Sequence, residues 1–166
     1  MRAKGKLSHV SANGSARMVD VSGKAVTPRA AAAEAWVRVG RRIAGELRRT
    51  GGLAKGNVLQ TARLAGILAA KKTGELIPMC HPLAIDHVQV EAELVGHSIR
   101  IVARVACRGR TGVEMEAMTA AAVAALTVYD MVKSAGKGIE IGPVRLLEKT
   151  GGKSGNWRRE DRDGPR

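Results

Sequence analysis

Three acidic residues stand apart in a chain that is otherwise strongly basic. Glu114, Glu116 and Asp130 lie between residues 113 and 132, a stretch that holds no Lys or Arg. Carboxylates at fixed positions suit general acid–base chemistry when their surroundings shift their pKa values. The alternative is an ordinary acidic residue in a first helical turn, which complements the helix dipole. That alternative explains Glu116 well and Glu114 less well.

The spacing of these groups limits what they can do together. Glu114 and Glu116 are two residues apart, and helical side chains at that spacing point in different directions. We therefore expect an extended or pre-helical backbone if both carboxylates serve one face. Asp130 and Lys133 stand at i and i+3, so they can touch, and each can shift the other's pKa where water is excluded. The alternative for this pair is a surface ion pair of little energetic value.

A thiol and an imidazole lie side by side between two prolines. Cys80 and His81 follow Pro78 and precede Pro82, and the proline rings fix the backbone in an extended, non-helical path. His81 is a candidate general acid or base or a phosphate donor, and the alternative is a structural histidine. The other histidines and Cys107 do not stand at metal-binding spacing, so we predict no metal site.

Several cations lie in loops where they could meet an anion. Lys55 precedes a predicted helix and Lys153 lies among three glycines, and each is either solvated or an anion contact. Arg108 and Arg110 belong to a glycine-containing loop before a long helix, where free N–H groups and guanidinium groups make a plausible anion cradle. The same loop is equally explained as a basic turn between a hairpin and a helix.

Neither standard nucleotide fingerprint is present. A Walker-type loop around Lys153 requires glycine at position 147, where the chain has Leu147. The dinucleotide pattern that begins at Gly136 has Ile141 in place of its third glycine. The sequence therefore supports neither of the common nucleotide-binding folds.

The long helix imposes a geometric condition on any site that uses both of its ends. Asp130 lies 14 residues after Glu116. That spacing puts both residues on one face but about 21 Å apart along the helix axis. They cannot meet around one small ligand within a single chain. If both ends are catalytic, we expect a pocket that joins the start of one subunit's helix to the end of another's.

Composition narrows the class of protein. The 166 residues include 28 Lys and Arg against 15 Asp and Glu, a net charge of +13 that favours anionic partners without choosing among them. With no Phe, one Tyr and two Trp, the chain lacks the rings on which single-stranded nucleic acid usually stacks. The same shortage leaves a thin aliphatic core, from which we predict that subunits associate.

Periodicity and turn residues predict the elements that position these groups. The predicted elements are a helix over 58–72, a hairpin over 85–94 and 99–107, a helix over 115–135 and a strand over 139–147. Asn57 is a suitable N-cap and Gly136 a suitable helix end. Residues 28–50 have helical spacing and a helix end at Gly51, but the first half of this segment also alternates as a strand does. Periodicity alone does not decide between helix and strand there. Mixed strands and helices without βαβ regularity predict an α+β sandwich.

The chain reads as one domain with two polar ends. We predict a flexible basic arm over 1–17, a domain over 18–157 and a disordered charged tail over 158–166. Two cysteines without a disulfide pattern indicate a reducing compartment, and we predict the cytoplasm. No apolar run follows the basic N-terminus, and the longest uncharged helical stretch falls short of the roughly 20 residues that span a bilayer. We therefore predict no membrane association.

Seven groups of residues occur in an order that is specific to one family. They are Met18-Val-Asp-Val-Ser22, Lys55-Gly-Asn57, Ala62-Arg-Leu-Ala-Gly-Ile67, Leu76-Ile-Pro-Met-Cys-His-Pro-Leu83, Thr111-Gly-Val-Glu-Met-Glu-Ala-Met118, Leu126-Thr-Val-Tyr-Asp-Met131, and Ile141-Gly-Pro-Val-Arg145 with Gly151-Gly-Lys-Ser-Gly155. In these motifs, from about His9 to Trp157, the chain closely resembles the cyclic pyranopterin monophosphate synthase family, also called the molybdenum cofactor biosynthesis protein C family. It departs from many relatives at Asn57, where they have Asp, and this argues against an essential carboxylate there.

The resemblance implies a fold and an assembly. The expected subunit is a ferredoxin-like α+β domain, with an antiparallel sheet packed against helices. Six subunits are expected to form a homohexamer, a trimer of dimers, with active sites between subunits. The resemblance also implies a strand over 29–37 and a helix that begins near Gly40.

The implied reaction rearranges 3',8-cyclo-7,8-dihydro-GTP to cyclic pyranopterin monophosphate and releases pyrophosphate. No electron transfer and no cofactor are expected, and Mg²⁺ accompanying the triphosphate is left open. Matching motifs imply a catalytic set of Lys55, His81, Glu114, Glu116, Asp130 and Lys133. The implied substrate contacts are Met79, Cys80, His81, Met115, Glu116 and Lys153, to which the electrostatic argument adds Arg108 and Arg110.

The implied roles divide between proton transfer and charge neutralisation. Asp130 and Lys133 are expected to act as a coupled proton-transfer pair beside the purine and ribose. The cations expected to neutralise phosphate are His81, Lys55 and Lys153. Glu114 and Glu116 are expected to orient the guanine edge or to shuttle protons.

A rival interpretation is a basic RNA-binding α/β module. The loop from Gly109 to Gly112 superficially matches the GXXG clamp of KH domains. Against this, the loop follows a predicted strand and does not join two helices, and the three acids nearby would repel phosphate. We therefore predict a small nucleotide-derived substrate and no nucleic-acid partner.

Overall fold

A five-stranded sheet and the helices that pack on it make up the described part of the chain. In this computed structural model the described residues are 15, 17–153 and 155–160. Their elements are β1 (Thr27–Arg38), α1 (Gly40–Thr50), α2 (Val58–Lys71), α3 (Thr73–Leu76), β2 (His87–Val95), β3 (Ser98–Gly109), α4 (Glu114–Val132), β4 (Glu140–Thr150) and β5 (Trp157–Arg158).

The sheet is antiparallel throughout and its strand order is β2-β3-β1-β4-β5. β1 lies between β3 and β4, so both helical connections cross over a strand before they return to the sheet. This βαββαβ arrangement with split crossovers is the ferredoxin-like topology. The predicted α+β class with an antiparallel sheet is confirmed.

Most predicted elements are confirmed, and the open segment is resolved. β1 continues to Arg38 and α1 begins at Gly40, as the resemblance implied. The Asn57 side chain accepts a hydrogen bond from the Gln60 N–H at 3.0 Å, which caps α2 as predicted. β4 carries register shifts against β1, and one of them lies at Gly142 and Pro143.

Three boundaries differ from the prediction. α4 ends at Val132 and not at residue 135, because the Lys133 N–H closes the last helical turn on the Tyr129 carbonyl. The segment between the prolines is not simply extended, because the Cys80 N–H donates to the Ile77 carbonyl in a turn. Arg158, assigned to a disordered tail, pairs with Glu148 in the sheet. The predicted arm over 1–17 and the rest of the tail fall largely outside the described residues.

Small residues let the helices approach each other and the sheet closely. A Cβ at Gly66 of α2 would lie 2.9 Å from the Ala120 carbonyl oxygen of α4. α4 itself buries five alanines, Ala117, Ala120, Ala121, Ala124 and Ala125. Its length and hydropathy would allow α4 to cross a membrane, but over half of that window is buried and the helix packs on α2 and the sheet. α4 is therefore the central helix of the core.

The sheet face that points away from the helices carries a buried charge. Glu34 of β1 is 2% exposed and pairs with Arg100 at 2.9 Å and Arg145 at 2.8 Å. Burial by itself raises the pKa of Glu34, but the hydrogen bonds from the two guanidinium groups outweigh it and lower the pKa. The carboxylate therefore stays ionised and fixes three adjacent strands together.

Each edge of the sheet has one feature that limits strand pairing. On the β2 edge, Arg63 of α2 donates from Nη2 to the Ala92 carbonyl at 2.9 Å. On the other edge, β5 is only two residues long, Trp157 and Arg158. Short or occupied edges limit strand pairing with other chains.

Candidate active site

Two adjoining cavities open where α4 begins. The larger, about 700 Å³, is the cationic cavity, whose charged lining is Lys24, Arg29, Arg110, Lys149, Lys153 and Glu114. The smaller, about 550 Å³, is the carboxylate cavity, whose lining includes Met79, Cys80, His81, Glu114, Met115 and Glu116. Lys24, Thr111, Gly112 and Glu114 line both cavities. One ligand with an anionic part and a neutral part could occupy the two together.

Glu114 forms the wall between the two cavities. Its Oε1 pairs with Lys149 Nζ at 2.9 Å, and its carboxylate packs over Gly112, where any Cβ would collide with it. Because Gly112 has no side chain, the Glu114 side chain can fold back over it from the start of α4. Glu114 thereby reaches the lining of the carboxylate cavity, to which Glu116 also belongs. The expectation that both carboxylates need an extended or pre-helical backbone is therefore wrong: both lie in the helix.

Glu116 is the most buried ionisable group at the site. It is 3% exposed, and it forms no ion pair with any of the described residues. Burial raises its pKa, and the charge of Glu114 adds to the effect. Burial and the charge of Glu116 likewise raise the pKa of the Cys80 thiol. A carboxyl that holds its proton to higher pH suits a general acid, while a neutral thiol suits a lining role.

His81 is tied to the segment that precedes β1. Its Nε2 lies 2.8 Å from the Val19 carbonyl oxygen. A carbonyl only accepts, so Nε2 carries the proton and Nδ1 is the nitrogen left for a ligand. Val19 and Val21 line the carboxylate cavity beside the imidazole. The segment before β1 therefore contributes a wall of the site and holds the ring.

The second candidate centre lies at the other end of α4. This lysine–aspartate cluster consists of Lys55, Asp130 and Lys133. Asp130 Oδ2 lies 2.8 Å from Lys55 Nζ, and its Oδ1 lies 2.8 Å from Lys133 Nζ. Hydrogen bonds from Lys133 and Lys55 lower the pKa of Asp130 to about 2, and the bond to Asp130 raises the pKa of Lys133. All three side chains are well exposed, so the cluster is an open surface feature of one protomer.

The two centres are separate within one chain. α4 runs without a break from Glu114 to Val132, so the 14-residue spacing of Glu116 and Asp130 corresponds to about 21 Å. Lys55, Asp130 and Lys133 line neither cavity. Within one protomer, the predicted residues therefore form two separate groups, one at each end of α4.

Some cations were predicted and others were missed. Lys153 and Arg110 line the cationic cavity as expected, whereas Arg108 lines neither cavity and uses its backbone N–H to bond Asp86 at 2.8 Å. Arg108 is the strand partner of Pro28, and its side chain lies on the sheet face that points away from the helices. It therefore points away from both cavities. The cations that sequence reasoning missed are Lys24, Arg29 and Lys149. Of these three, only Lys149 has a position in the sequence that could have indicated a site. It lies two residues before a glycine pair, close to the end of a predicted strand.

The described ranges hold no group of three or more His, Cys, Asp and Glu side chains arranged for a metal ion. What they do hold is a set of cations beside a buried carboxyl, an imidazole and a thioether lining. Such a site can neutralise a polyphosphate and transfer protons to and from an adjoining ring. Gly109 ends β3, so the glycine loop joins a strand to a helix, unlike the KH clamp.

The fold is α+β, and the site joins a cationic cavity to one that is lined by carboxylates, an imidazole and thioethers. Sequence comparison identifies the family, since the model of the MoaC family matches residues 18–152. The chain belongs to the MoaC family.

Several similar proteins carry one common name. A protein of Novosphingobium aromaticivorans is 53% identical over 152 residues, which cover 92% of this chain and 96% of the relative. A protein of Streptomyces avermitilis is 53% identical over 157 residues, 95% of this chain and 92% of the relative. A protein of Corynebacterium efficiens is 53% identical over 152 residues, 92% of this chain and 97% of the relative. Each is named cyclic pyranopterin monophosphate synthase.

Proposed function

We propose that this chain converts 3',8-cyclo-7,8-dihydro-GTP to cyclic pyranopterin monophosphate and pyrophosphate at a site shared by two protomers. Family membership and the relatives' common name make it an enzyme of molybdenum cofactor biosynthesis, a lyase. The observation that carries the site proposal is the division of the charged residues between two separated ends of α4.

The cationic cavity suits the triphosphate. Five cations line it, Lys24, Arg29, Arg110, Lys149 and Lys153, against one carboxylate, Glu114. Because Glu114 already pairs with Lys149, the lining keeps a large excess of positive charge. When the ribose hydroxyl attacks the α-phosphorus and pyrophosphate leaves, negative charge develops on the leaving oxygen, and fixed cations stabilise it.

The carboxylate cavity suits the purine-derived ring. Met79 and Met115 offer polarisable apolar surface, and Glu114 can accept hydrogen bonds from a guanine edge. Glu116, whose pKa is raised by burial, can donate a proton to a ring nitrogen during ring opening. His81 can exchange a proton through Nδ1, since Nε2 is bound to Val19. Opening and reclosing a ring requires such donors and acceptors and no electron transfer.

The remaining groups come from a neighbouring protomer. Met115, Leu126 and Tyr129, which we call the apolar stripe of α4, are 40%, 58% and 40% exposed. Their spacings of 11 and 14 residues put them on one helix face. An α4 that packs antiparallel along this stripe brings its own Asp130 and Lys133 towards the carboxylate cavity. A two-fold contact of this kind generates two such sites at once.

We further propose the homohexamer, a trimer of dimers, that the family resemblance implies. Exposed apolar side chains support association, because Leu64 and Leu68 of α2 are 63% and 59% exposed and lie one turn apart. Buried in an interface, such side chains stabilise an oligomer. Leu126→Glu is expected to give a smaller species by light scattering, while Val95→Glu, at an exposed residue of β2, serves as the matched control.

The proposal includes no organic cofactor and places the enzyme in the cytoplasm. Proton transfer and charge neutralisation are the demands of the reaction, and the chain's own residues meet them. A Mg²⁺ ion, where it takes part, enters with the triphosphate as part of the substrate. Activity measured with and without a chelator decides whether it is needed.

Mixing two inactive variants tests the shared site. Glu116→Gln removes the acid of one end of α4, and Asp130→Asn removes the carboxylate of the other. After the two proteins are unfolded and refolded together in equal amounts, about one quarter of all shared sites contain both native residues. Activity is expected to return to about that fraction of the wild-type value.

The controls distinguish shared sites from other causes. Each variant refolded alone is expected to stay inactive, and Glu140→Gln, which alters a similarly exposed ion pair with Arg38, is expected to keep full activity. If the mixture stays as inactive as its components, while native mass spectrometry shows mixed oligomers, the site lies within one chain and the proposal is wrong.

A further inference from the structure

Glu116 lies in the walls of two cavities. One is the carboxylate cavity, and the other is a smaller cavity of about 140 Å³, which we call the back cavity. The lining of the back cavity includes Ala70, Lys71, Glu75 and Pro82. Leu83 and Glu116 line both cavities. The buried carboxyl can therefore be approached from two sides.

The chain segment that follows Cys80 separates the two cavities. His81 lines the carboxylate cavity, Pro82 lines the back cavity, and Leu83 lines both. The segment packs tightly on α3, because a Cβ at Gly74 would lie only 3.1 Å from the Pro82 Cα. Since packed backbone separates the two cavities, a substrate in the carboxylate cavity leaves the back cavity open.

The back cavity connects Glu116 to polar groups at the surface. Lys71 at the end of α2 and Glu75 in α3 are exposed, whereas Ala70 is buried. Within residues 17–153, neither Lys71 nor Glu75 forms an ion pair. A cavity of about 140 Å³ has room for about four water molecules, and polar groups at both of its ends can hold them. Water there can join the buried carboxyl to solvent.

A buried acid needs a source of protons in every catalytic cycle. When Glu116 gives its proton to a ring nitrogen, a carboxylate remains where burial disfavours charge. The titratable groups that face Glu116 include Glu114 of α4, Cys80 and His81 before β2, Cys107 of β3, Lys71 of α2 and Glu75 of α3. A bound substrate separates the groups of the carboxylate cavity from solvent. Among the carboxyl groups of this set, Glu75 is the exposed one.

We propose that the back cavity is the proton inlet of Glu116 and that Glu75 is the relay at its mouth. The role of Glu116 as the acid rests on the proposed function. In each cycle Glu75 takes one proton from an acid in the solvent and passes one through water to the Glu116 carboxylate. Glu116 gives one proton to the substrate ring, so one proton enters for each that leaves, and no electron is transferred. Glu75 touches neither the substrate nor the reacting atoms.

A high-resolution crystal structure of the wild-type protein tests the inlet without reference to activity. Ordered water is expected in the back cavity, with one molecule hydrogen-bonded to Glu116. In Ala70→Leu, the larger side chain is expected to displace this water. A wild-type cavity with no ordered water within hydrogen-bond distance of Glu116 overturns the inference, whether or not the protein converts the substrate.

A blocked inlet tests the same route by kinetics. Ala70→Leu is expected to lower kcat by about 10-fold and to leave KM near the wild-type value, because proton supply is impaired while the substrate cavity is unchanged. Ala84→Leu is the matched control, since it adds the same side chain at an exposed position that lines neither cavity. Equal kcat values in these two variants, with folding verified by circular dichroism, contradict the inlet.

Rescue by a small acid tests the relay, and it does not depend on the folding of Ala70→Leu. Glu75→Ala is expected to lower kcat by about 10-fold, and acetate in the assay buffer is expected to restore it by replacing the lost carboxyl. Wild-type kcat is expected not to depend on acetate. Glu46→Ala removes a glutamate that lines neither cavity and is expected to keep normal kcat.

Two results would overturn the relay role of Glu75. They are normal kcat in Glu75→Ala, and a lowered kcat that acetate does not raise. Acetate is also expected to have no effect on Ala70→Leu/Glu75→Ala, because the inlet is blocked. Wild-type protein that holds water from Glu116 to the surface but converts no substrate contradicts the proposed function and supports the inlet.

Discussion

The two ends of α4 present ionisable groups in opposite environments. At the N-terminal end, Glu116 lies buried beside a cavity, and its pKa is raised by burial. At the C-terminal end, Asp130 lies exposed between Lys55 and Lys133, and hydrogen bonds from the two lysines lower its pKa to about 2. One helix thus carries a carboxyl that tends to keep its proton and a carboxylate that tends to stay ionised.

The difference shows how one chain can supply both an acid and a charged base cluster. Groups whose pKa values are pushed apart can perform different steps of one reaction at one pH. The buried end obtains its environment from its own fold. The exposed end has no cover among the described residues of one protomer, and in the proposed arrangement a neighbouring protomer covers it.

Removal of the exposed cluster is expected to abolish activity and spare the fold. Asp130→Ala or Lys133→Ala should lower kcat by about 10³-fold, the scale of lost proton transfer. The circular dichroism spectrum should stay that of the wild type, because the side chains are exposed. Glu140→Ala, from the exposed pair with Arg38, is the matched control and should keep normal kcat. Normal turnover in both cluster variants would refute the role of the cluster.

Replacement of the buried acid is expected to change the pH profile as well as the rate. In Glu116→Gln, kcat should fall by about 10²-fold, because an amide cannot donate an acidic proton. In the wild type, kcat should decline as pH rises through the raised pKa of Glu116, and the variant should lose that decline. A variant that keeps the alkaline limb shows that another group is the acid.

Of the carboxyl groups at the two ends of α4, only Glu116 should make the stability of the protein depend on pH in the range tested. A group with a raised folded-state pKa stabilises the fold below its unfolded pKa and loses this contribution as pH rises through the folded value. Glu116→Gln is therefore expected to raise Tm at pH 8 relative to wild type, by about 2–4 °C for each kcal/mol gained, and to change it little at pH 4.

For Asp130 the pKa is lowered, so its contribution is present above the ordinary pKa and is lost only as pH falls towards 2. The Tm difference between Asp130→Asn and the wild type should accordingly stay constant from pH 5 to pH 9. Scanning calorimetry across this range measures both trends. A pH-dependent difference for Asp130→Asn, or a constant one for Glu116→Gln, contradicts the contrast between the two ends.

The smallest effect concerns the start of α2, close to Lys55. Asn57→Ala should lower stability by about 1 kcal/mol, because the cap on the Gln60 N–H is lost. Asn57→Asp should leave both stability and kcat near the wild-type values, since either residue caps a helix and no essential carboxylate is expected there. Urea unfolding and the standard assay check the two variants. A large gain in kcat with Asp would show that the departure from the relatives matters.

Local signals predicted those elements whose fold depends on neighbouring residues. Asn57, the glycine at the hairpin and the alanine-rich run of α4 each act over a few positions. β1 was harder, because residues 30–35 are mostly alanine and suit a helix or a strand. Its strand conformation is set by pairing with β3 and β4, which lie 60 or more residues away. Local periodicity does not reveal such long-range pairing, so it left both structures open.

The site was predictable where a residue type is unusual for its position. Glu114, Glu116 and Asp130 stood out because they interrupt an apolar helix in a basic chain. Lys24 and Arg29 did not, since basic residues are common throughout the sequence. Their grouping depends on the start of β1 lying beside the end of β4. Arg108 fell outside the cavity for the opposite reason, because alternation along β3 turns it to the other face.

The features at the two edges of the sheet have a consequence for pairing with other chains. Arg63 occupies a carbonyl on one border, and the strand at the other border is too short to template a neighbour. Addition of a foreign strand is therefore disfavoured at these two positions, one on each border of the sheet.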